Sequence, residues 1–596
     1  MSKLVPIASP NLSMMTSRAY DEAKKEKGSQ GTIDHEKGEY VDISGREIIS
    51  SESEKHGRQL PLQAYVHYAE IQREFERERD EDGLYAVQRE QMYTDPHSNV
   101  SPSKLDSQRM LRIAKAYSVF FLITTDILGP SNAPYAVAQM GWVPGVILYV
   151  LFGVAAAFGG WLLNFCFCKV DSNNYPIRTF SDLAARVVAP WFRYPFGLLQ
   201  FIQMILNCGL ILLSTAQSVS QMLVVNRGGD DFCFTVDILV WGLLCMILGQ
   251  IRSLGRFAHI ANSAVWMNIA ICIITMVGVA VGGPYYGIFE QYGQGAPYFQ
   301  PSSYIPLPIK QYAIVPGNIS DKIAGMNNMV FAWGGATIFC EVMAEMKRPM
   351  DFWKGMLCAQ SLILVVYLFY GLFVYAYNGQ FSYVTANMAI GSIGLQNAGN
   401  VLSIISGIIA MVLYGNIGIK VVYQGFLVTD FNFPSLTSRK GTFAWGGFVI
   451  LYWAVAYILG TAIPSISALV GIVGAFCILN FSYTFPFLFG FCLLCRQDAA
   501  LADNFDAKTL TVEKADSYRE WSRWKRALGY GGIYRTSIKV SLFLLFPSLA
   551  RNLWPMFLLG NFGSYRSLSD QPCATIHLHF SCGLRQLPSQ DDGNPW

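Results

Sequence analysis

The sequence predicts an all-α polytopic membrane protein with about eleven transmembrane helices. Only 85 of its 596 residues are charged, 14% of a chain that is 52% hydrophobic, whereas soluble domains run near 25% charged. Of those charges, 36 fall in residues 1–112, so the remaining 484 residues carry about one charge in ten. The uncharged runs repeatedly reach the roughly 20 residues that a helix needs to cross a bilayer. A net charge of +3 and the lack of Lys/Arg blocks with interleaved aromatics set nucleic acid aside as a partner.

Residues 1–110 read as a hydrophilic arm, disordered over its Ser/Lys/Glu-rich first part. A helix is expected near residues 62–92, where Gln72 to Glu81 (QREFERERDE) has the alternating charges of a solvated face. A regulatory protein binding the arm is the other reading. Met1 to Pro10 has neither the basic start nor the apolar core of a signal peptide, so the first span is expected to serve as the insertion signal.

Residues 111–495 form the transmembrane core. Its spans are expected at Ile113–Met140, Trp142–Cys168, Tyr194–Asn226, Phe232–Gln250, Phe257–Phe289, Asp321–Met346, twice within Gly355–Ile419, at Gly441–Ala462 and at Ser465–Cys495. A basic loop follows at 496–536, then a weaker eleventh span at 537–560 and a tail at 561–596. Pro547, Arg551 and Pro555 interrupt that last span, and an aberrant carboxyl terminus is an equal reading. Most cysteines lie in or beside the apolar runs, which suits buried thiols better than a disulfide framework, and Cys492-x-x-Cys495 lacks the partner pair of a zinc site.

With the amino terminus in the cytoplasm, the inside connections hold 20 Lys and Arg and the outside ones only Arg227, Lys310 and Lys322. The positive-inside rule favours that orientation. The outside loop 283–320 carries the sequon Asn318-Ile319-Ser320, a candidate glycosylation site.

Two spans contain what an unbroken helix disfavours. In the first, the apolar run Val119–Leu128 meets Gly129-Pro130-Ser131-Asn132-Ala133-Pro134; in the sixth, Gly334 and Gly335 stand at mid-span. Proline removes amide donors and breaks the hydrogen-bond ladder. Interruptions in matched positions of successive five-helix halves point to an inverted-repeat transporter with its site at the midplane. Half-helix amino ends attract a carboxylate and half-helix carboxyl ends a cation. An amino acid zwitterion carries both.

The stretch from Thr125 to Ala136 (TDILGPSNAPYA), followed by Gly141-Trp142-Val143-Pro144-Gly145, resembles the amino acid/auxin permease family, particularly its fungal members related to neutral amino acid permeases. So do Phe331-Ala332-Trp333-Gly334-Gly335-Ala336 and Glu341 to Pro349 (EVMAEMKRP). The resemblance spans about residues 110–495 and implies a leucine-transporter-like 5+5 inverted repeat with helices 1 and 6 discontinuous. It also implies amino acid uptake, usually coupled to protons. Pro130 and Asn132 depart from the family's closely spaced glycines before the proline, which bears on side-chain selectivity.

The substrate site is therefore expected at the backbone of Gly129, Ser131, Asn132, Gly334 and Gly335, with Phe331 and Trp333 as apolar walls or a gate. No charged side chain is otherwise placed to read the substrate, so a neutral amino acid is expected. Asn207, Ser214 and Gln217 are further pocket candidates on the third span. Ionisable residues within spans are expensive and are functional candidates by default. Asp126 lies one turn before the first break and Lys420 in the eighth span, so the two are the expected ion-coupling pair. Snorkelling of Lys420 to the membrane edge is the plainer alternative. Glu341 and Glu345 are expected to anchor the inner end of the sixth span.

No cofactor beyond a coupling proton is expected. The partners are a small amino acid and the lipid of a plasma or vacuolar membrane. A receptor on the same fold that binds without transport is the rival reading. An enzyme would need clustered catalytic groups on one membrane side, and the seven histidines lie mostly in the tails.

Overall fold

The computed structural model describes residues 60–82, 116–127, 129–172, 175–227, 234–251, 257–286, 308–316, 319–428, 431, 433–434, 438–462, 466–507, 510–530 and 535–542. All belong to one compact unit, Leu60–Trp596. Seven described helical stretches are long and apolar enough to cross a bilayer. The protein is an all-α polytopic membrane protein; among the described residues the one sheet is a two-stranded hairpin.

Helix α1 (Leu62–Asp82) precedes the bundle. The first span is two pieces, α2 (Ala116–Ile127) and α3 (Ala133–Met140), joined through a 3-10 turn at Pro130–Asn132. Then come α4 (Trp142–Val170), the short α5 (Phe180–Val187), α6 (Arg193–Arg227), α7 (Phe234–Leu248) and α8 (Phe257–Gly282). The sixth span is likewise divided, into α9 (Ile319–Phe331), a 3-10 turn at Gly334–Ile338 and α10 (Phe339–Glu345). Four more helices complete the bundle: α11 (Phe352–Asn378), α12 (Ile393–Val422), α13 (Arg439–Ala462) and the tenth span.

That tenth span was expected as a plain helix. It begins as α14 (Ile466–Val473), widens to a π-helix over Gly474–Thr484 and ends as α15 (Phe485–Ala499). Side chains absorb the irregularity: Asn480 donates to the Phe476 carbonyl at 2.7 Å and Thr484 to that of Leu479 at 3.2 Å. Such wide turns gather at functional sites.

The expected count of eleven spans is not reached among the described residues. Spans one and six are pairs of short pieces, α7 has 15 residues, and the eleventh falls largely after residue 542, outside the described residues. What is described of it, 535–542, is helical and anchored: Asp498 on α15 binds Arg535 at 2.7 Å and Lys539 at 2.5 Å, with Lys539 wholly buried. A hairpin, β1 (Asn504–Asp506) with β2 (Thr511–Glu513), and α16 (Trp521–Gly529) fill the basic loop. Arg523 ties them together through Asp503 at 2.6 Å and Asp516 at 3.2 Å.

Helix α6 packs on α12, α13, α7 and α5, while α11 packs on α2, α3 and α4. The first divided span thus packs on α11.

The charge pattern of α1 predicts a solvated face, and Glu70, Glu74 and Arg77 are exposed. Arg73 and Glu76 depart from it: they are buried, and α1 lies against α4. Opposite charges three residues apart read as surface until a third charge from another element covers them. Residues 83–92, the rest of the expected helix, and the sequon's Asn318 lie outside the described residues.

Candidate functional site

Both interruptions are present, and the packing brings them side by side. Helix α2 rests on the Gly334–Ile338 turn, and α3 packs along α9. In the first span the ladder fails where Pro130 and Pro134 supply no amide donor. In the sixth, Trp333 leaves helical geometry (φ −109°, ψ 27°) just before the paired glycines.

The π-helix of the tenth span backs the sixth-span break. Ser482 donates to the Trp333 carbonyl at 3.1 Å. Gly334 sits so close to Ile478 that a Cβ there would come within 2.6 Å of its Cδ1. Trp333 is fully buried, its ring tilted 37° to that of Tyr367 of α11 with centroids 6.3 Å apart, and is pressed onto Gly153 of α4. A Cβ at Gly153 would stand 2.7 Å from the indole. Phe331 is half-buried beside the same break.

Helix α6 holds the other side. Gln200 donates to the Thr337 carbonyl at 2.8 Å and to Glu341 Oε1 at 2.7 Å, while the Thr337 hydroxyl donates to Gln203 Oε1 at 2.8 Å. The Phe180 amide, at the start of α5, also donates to Glu341 Oε1, at 3.3 Å. Side chains thus satisfy two of the carbonyls that the sixth-span break exposes, Trp333 by Ser482 and Thr337 by Gln200. Unsatisfied backbone at membrane depth is tolerated only where protein or water reaches it.

Among the described residues several buried polar atoms around this region have no hydrogen-bond partner: Asn132 Oδ1, Asn207 Oδ1, Asn328 Oδ1, Trp333 Nε1 and Glu341 Oε2. Asn132 belongs to the first break, Asn328 and Trp333 to the sixth span, and Asn207 to α6, one turn after Gln203; the unpartnered Gln217 Oε1 lies about 21 Å further along α6 than Gln203. Buried polar groups left unpaired are candidates for a ligand or water.

Of the expected site residues, Asn132 is buried, Ser131 half-buried and Gly129 exposed, all at the first break. Gly334, Gly335 and Trp333 are at the second. The side chain of Asp126 lies outside the described residues. Lys420, on α12, is acted on by the charge of Glu345 from α10. Glu341 is four residues from Glu345 yet faces α6 and α5 instead.

Sequence reasoning passed over Gln200, Gln203 and Thr337. The signal existed, since Gln200 and Gln203 are three apart in an uncharged run and share a helix face. The π-helix and Ser482 offered no such pattern.

A family model described as transmembrane amino acid transporter protein matches residues 114–512. Among curated relatives, the N amino acid transport system protein of Neurospora crassa is 24% identical over 391 residues, which is 65% of this chain and 77% of that protein. A transmembrane transporter of Gibberella moniliformis is 24% identical over 380 residues, 62% of this chain and 73% of its own length. Amino acid permease 2 of Arabidopsis thaliana is 24% identical over 194 residues, covering 30% and 37% respectively.

Proposed function

From the premise that this chain belongs to the transmembrane amino acid transporter family, we propose that it is a secondary active transporter importing neutral amino acids by proton symport. The observation that carries this reading is the pairing of two interrupted spans, the first against the sixth, with unpartnered polar atoms beside them. A leucine-transporter-like 5+5 repeat accounts for interruptions in the opening span of each half.

In this reading the substrate's carboxylate meets free amides at Gly129, Ser131 and Asn132, and its ammonium meets acceptors around Gly334 and Gly335, Asn132 Oδ1 among them. Trp333 backs the break as an apolar wall and Phe331 flanks it. The polar side chains described at the breaks, Ser131, Asn132, Asn328, Thr337 and Ser482, are amides and hydroxyls, and the nearby carboxylate, Glu341, is engaged by Gln200 and the Phe180 amide, which supports a neutral substrate. A site built on hydrogen bonds rejects analogues that leave its groups unpaired.

Asp126 and Lys420 are the proposed coupling groups, with Glu345 within electrostatic reach of Lys420. A proton gained or lost by one member changes the attraction between helices and biases one conformation over the other. The distribution of Lys and Arg supports a cytoplasmic amino terminus, and the membrane in this reading is the plasma or vacuolar membrane.

Purified protein in liposomes tests this reading. Radiolabelled neutral amino acid should accumulate under an inward proton gradient without sodium. Lys420→Met and Asp126→Asn should abolish or uncouple that accumulation while the protein still inserts. Sodium-dependent uptake indifferent to pH would refute the coupling. Binding without accumulation would favour a receptor.

A further inference from the structure

Helix α1 lies outside the region matched by the family, yet its central arginine is among the most completely bonded cations described. Arg73 Nη1 donates to both carboxylate oxygens of Glu76, each at 2.7 Å. Nη2 donates to the side chain and to the carbonyl of Asp171, each at 3.0 Å, and Nε to the Cys168 carbonyl at 3.2 Å. The guanidinium therefore clasps the last turn of α4 and the residue that follows it, and Arg73, Glu76 and Asp171 are all buried. A planar fork with five donors suits this task in a way that an ammonium does not.

The grip extends along the chain after α4. Asp171 Oδ1 accepts the Ile177 amide at 3.0 Å. From the other side Arg186 of α5 donates to the carbonyls of Val170, Tyr175 and Pro176. Its guanidinium also lies over the ring of Tyr65, 4.6 Å from the centroid, so α1 and α5 are joined directly. Tyr65 meets Tyr175 edge-on at 5.6 Å. Two residues beyond Arg178, α5 begins, closed by a capping box between Thr179 and Asp182. Its first amide, Phe180, is the one that donates to Glu341 on α10. A continuous series of bonds thus runs from the arm to the second half of the divided sixth span.

We propose that Arg73 is a positioning residue for transport: by clasping Asp171 it fixes the α4–α5 connection, and through Phe180 and Glu341 it fixes the second half of the sixth span. This rests on the transport reading, because in alternation that half-helix must move against α6. With Arg73 seated, the half-helix is held on α6. With Arg73 gone, Glu76 and Asp171 lose the bonds that its guanidinium gives them, and the connection is loosened.

The test uses the full chain in liposomes, as wild type, Arg73→Ala and Arg73→Lys. Hydrogen exchange should quicken at least about tenfold in residues 171–188 and in residues 339–345 for Arg73→Ala, with residues 439–462 unchanged. Uptake should show KM raised at least about threefold with the maximal rate little altered, because the binding-competent state is less populated. Arg73→Lys, which keeps the charge and loses the fork, should fall between, and it carries the test if Arg73→Ala does not insert. Faster exchange confined to 171–188, or faster exchange in both segments with unchanged KM, would overturn the proposal. If wild-type liposomes accumulate no amino acid, the transport reading has failed, and exchange in 339–345 alone then decides whether Arg73 positions the sixth span.

Discussion

Replacing Gln200 by leucine removes a single amide nitrogen that serves two acceptors on the sixth span, the Thr337 carbonyl at 2.8 Å and Glu341 Oε1 at 2.7 Å. Gln200 is fully buried, so water does not take its place. A buried acceptor that loses its donor costs roughly 1–3 kcal/mol, and more where the acceptor is a carboxylate. Glu341 Oε1 retains the longer bond from Phe180 at 3.3 Å, which softens one of the two losses. We expect Gln200→Leu to destabilise the protein by about 3 kcal/mol, a fall in apparent melting temperature on the order of 5 °C. The informative experiment adds Glu341→Leu. If the cost comes from orphaned partners, removing the second partner relieves part of it, and the double variant is more stable than Gln200→Leu alone, with a coupling of about 1–2 kcal/mol. Thermal denaturation of the four proteins in one detergent measures this. Strict additivity, or a double variant less stable than either single one, would refute the reasoning that Gln200 acts by satisfying the sixth-span break.

Two further outcomes are expected. Gly153→Ala places a methyl 2.7 Å from the Trp333 ring, so the indole must shift; overpacking of this kind costs about 1–3 kcal/mol, and substrate affinity measured by binding should fall while Gly242→Ala, where a Cβ meets nothing within 4 Å, leaves it unchanged. Asp498→Ala strips Lys539, which is wholly buried, of its carboxylate. Breaking such a pair costs roughly 3–5 kcal/mol, and limited proteolysis should cut the segment 496–542 faster in that variant.

The spans of unbroken helix were legible because crossing a bilayer is a compositional demand, and stretches such as Trp142–Cys168 meet it without reference to the rest of the fold. The first break was legible for a local reason too: Pro130 and Pro134 lack amide hydrogens wherever they fall. The sixth break was legible only by analogy with it, since paired glycines permit an interruption without compelling one. What escaped was non-local. Gly474–Thr484 contains no proline, and its π geometry goes with the contacts that Ile478 and Ser482 make on the sixth-span break. Arg73 reads as one of many charges on a solvated helix until Asp171, 98 residues away, arrives beside it. Lys420 was paired with Asp126 by its place on the eighth span; the Asp126 side chain lies outside the described residues, and Glu345 at the end of α10 is a further charge acting on Lys420 that the sequence did not single out.

The same long-range bonds bear on how the charge asymmetry should be read. Arg73, Arg186 and Arg496 each end on backbone carbonyls at the carboxyl end of a helix: Arg73 on Cys168 and Asp171, Arg186 on Val170 and the residues after it, Arg496 on Arg186, Val187 and Val188 at the end of α5. Those carbonyls have no intrahelical partner and carry the negative end of the helix dipole. A guanidinium there is a structural cap as well as a positive charge. Counting every Lys and Arg as a topological signal therefore mixes two roles. Discounting the cations engaged in buried or capping bonds, Arg186, Arg496, Arg523, Arg526, Arg535 and Lys539, still leaves fourteen against the three on the opposite side, so the proposed orientation does not depend on them. The discount also predicts which replacements are not conservative: lysine can stand in for arginine where only the sign of the charge matters, and not at positions 73, 186 and 496, where the fork itself is occupied.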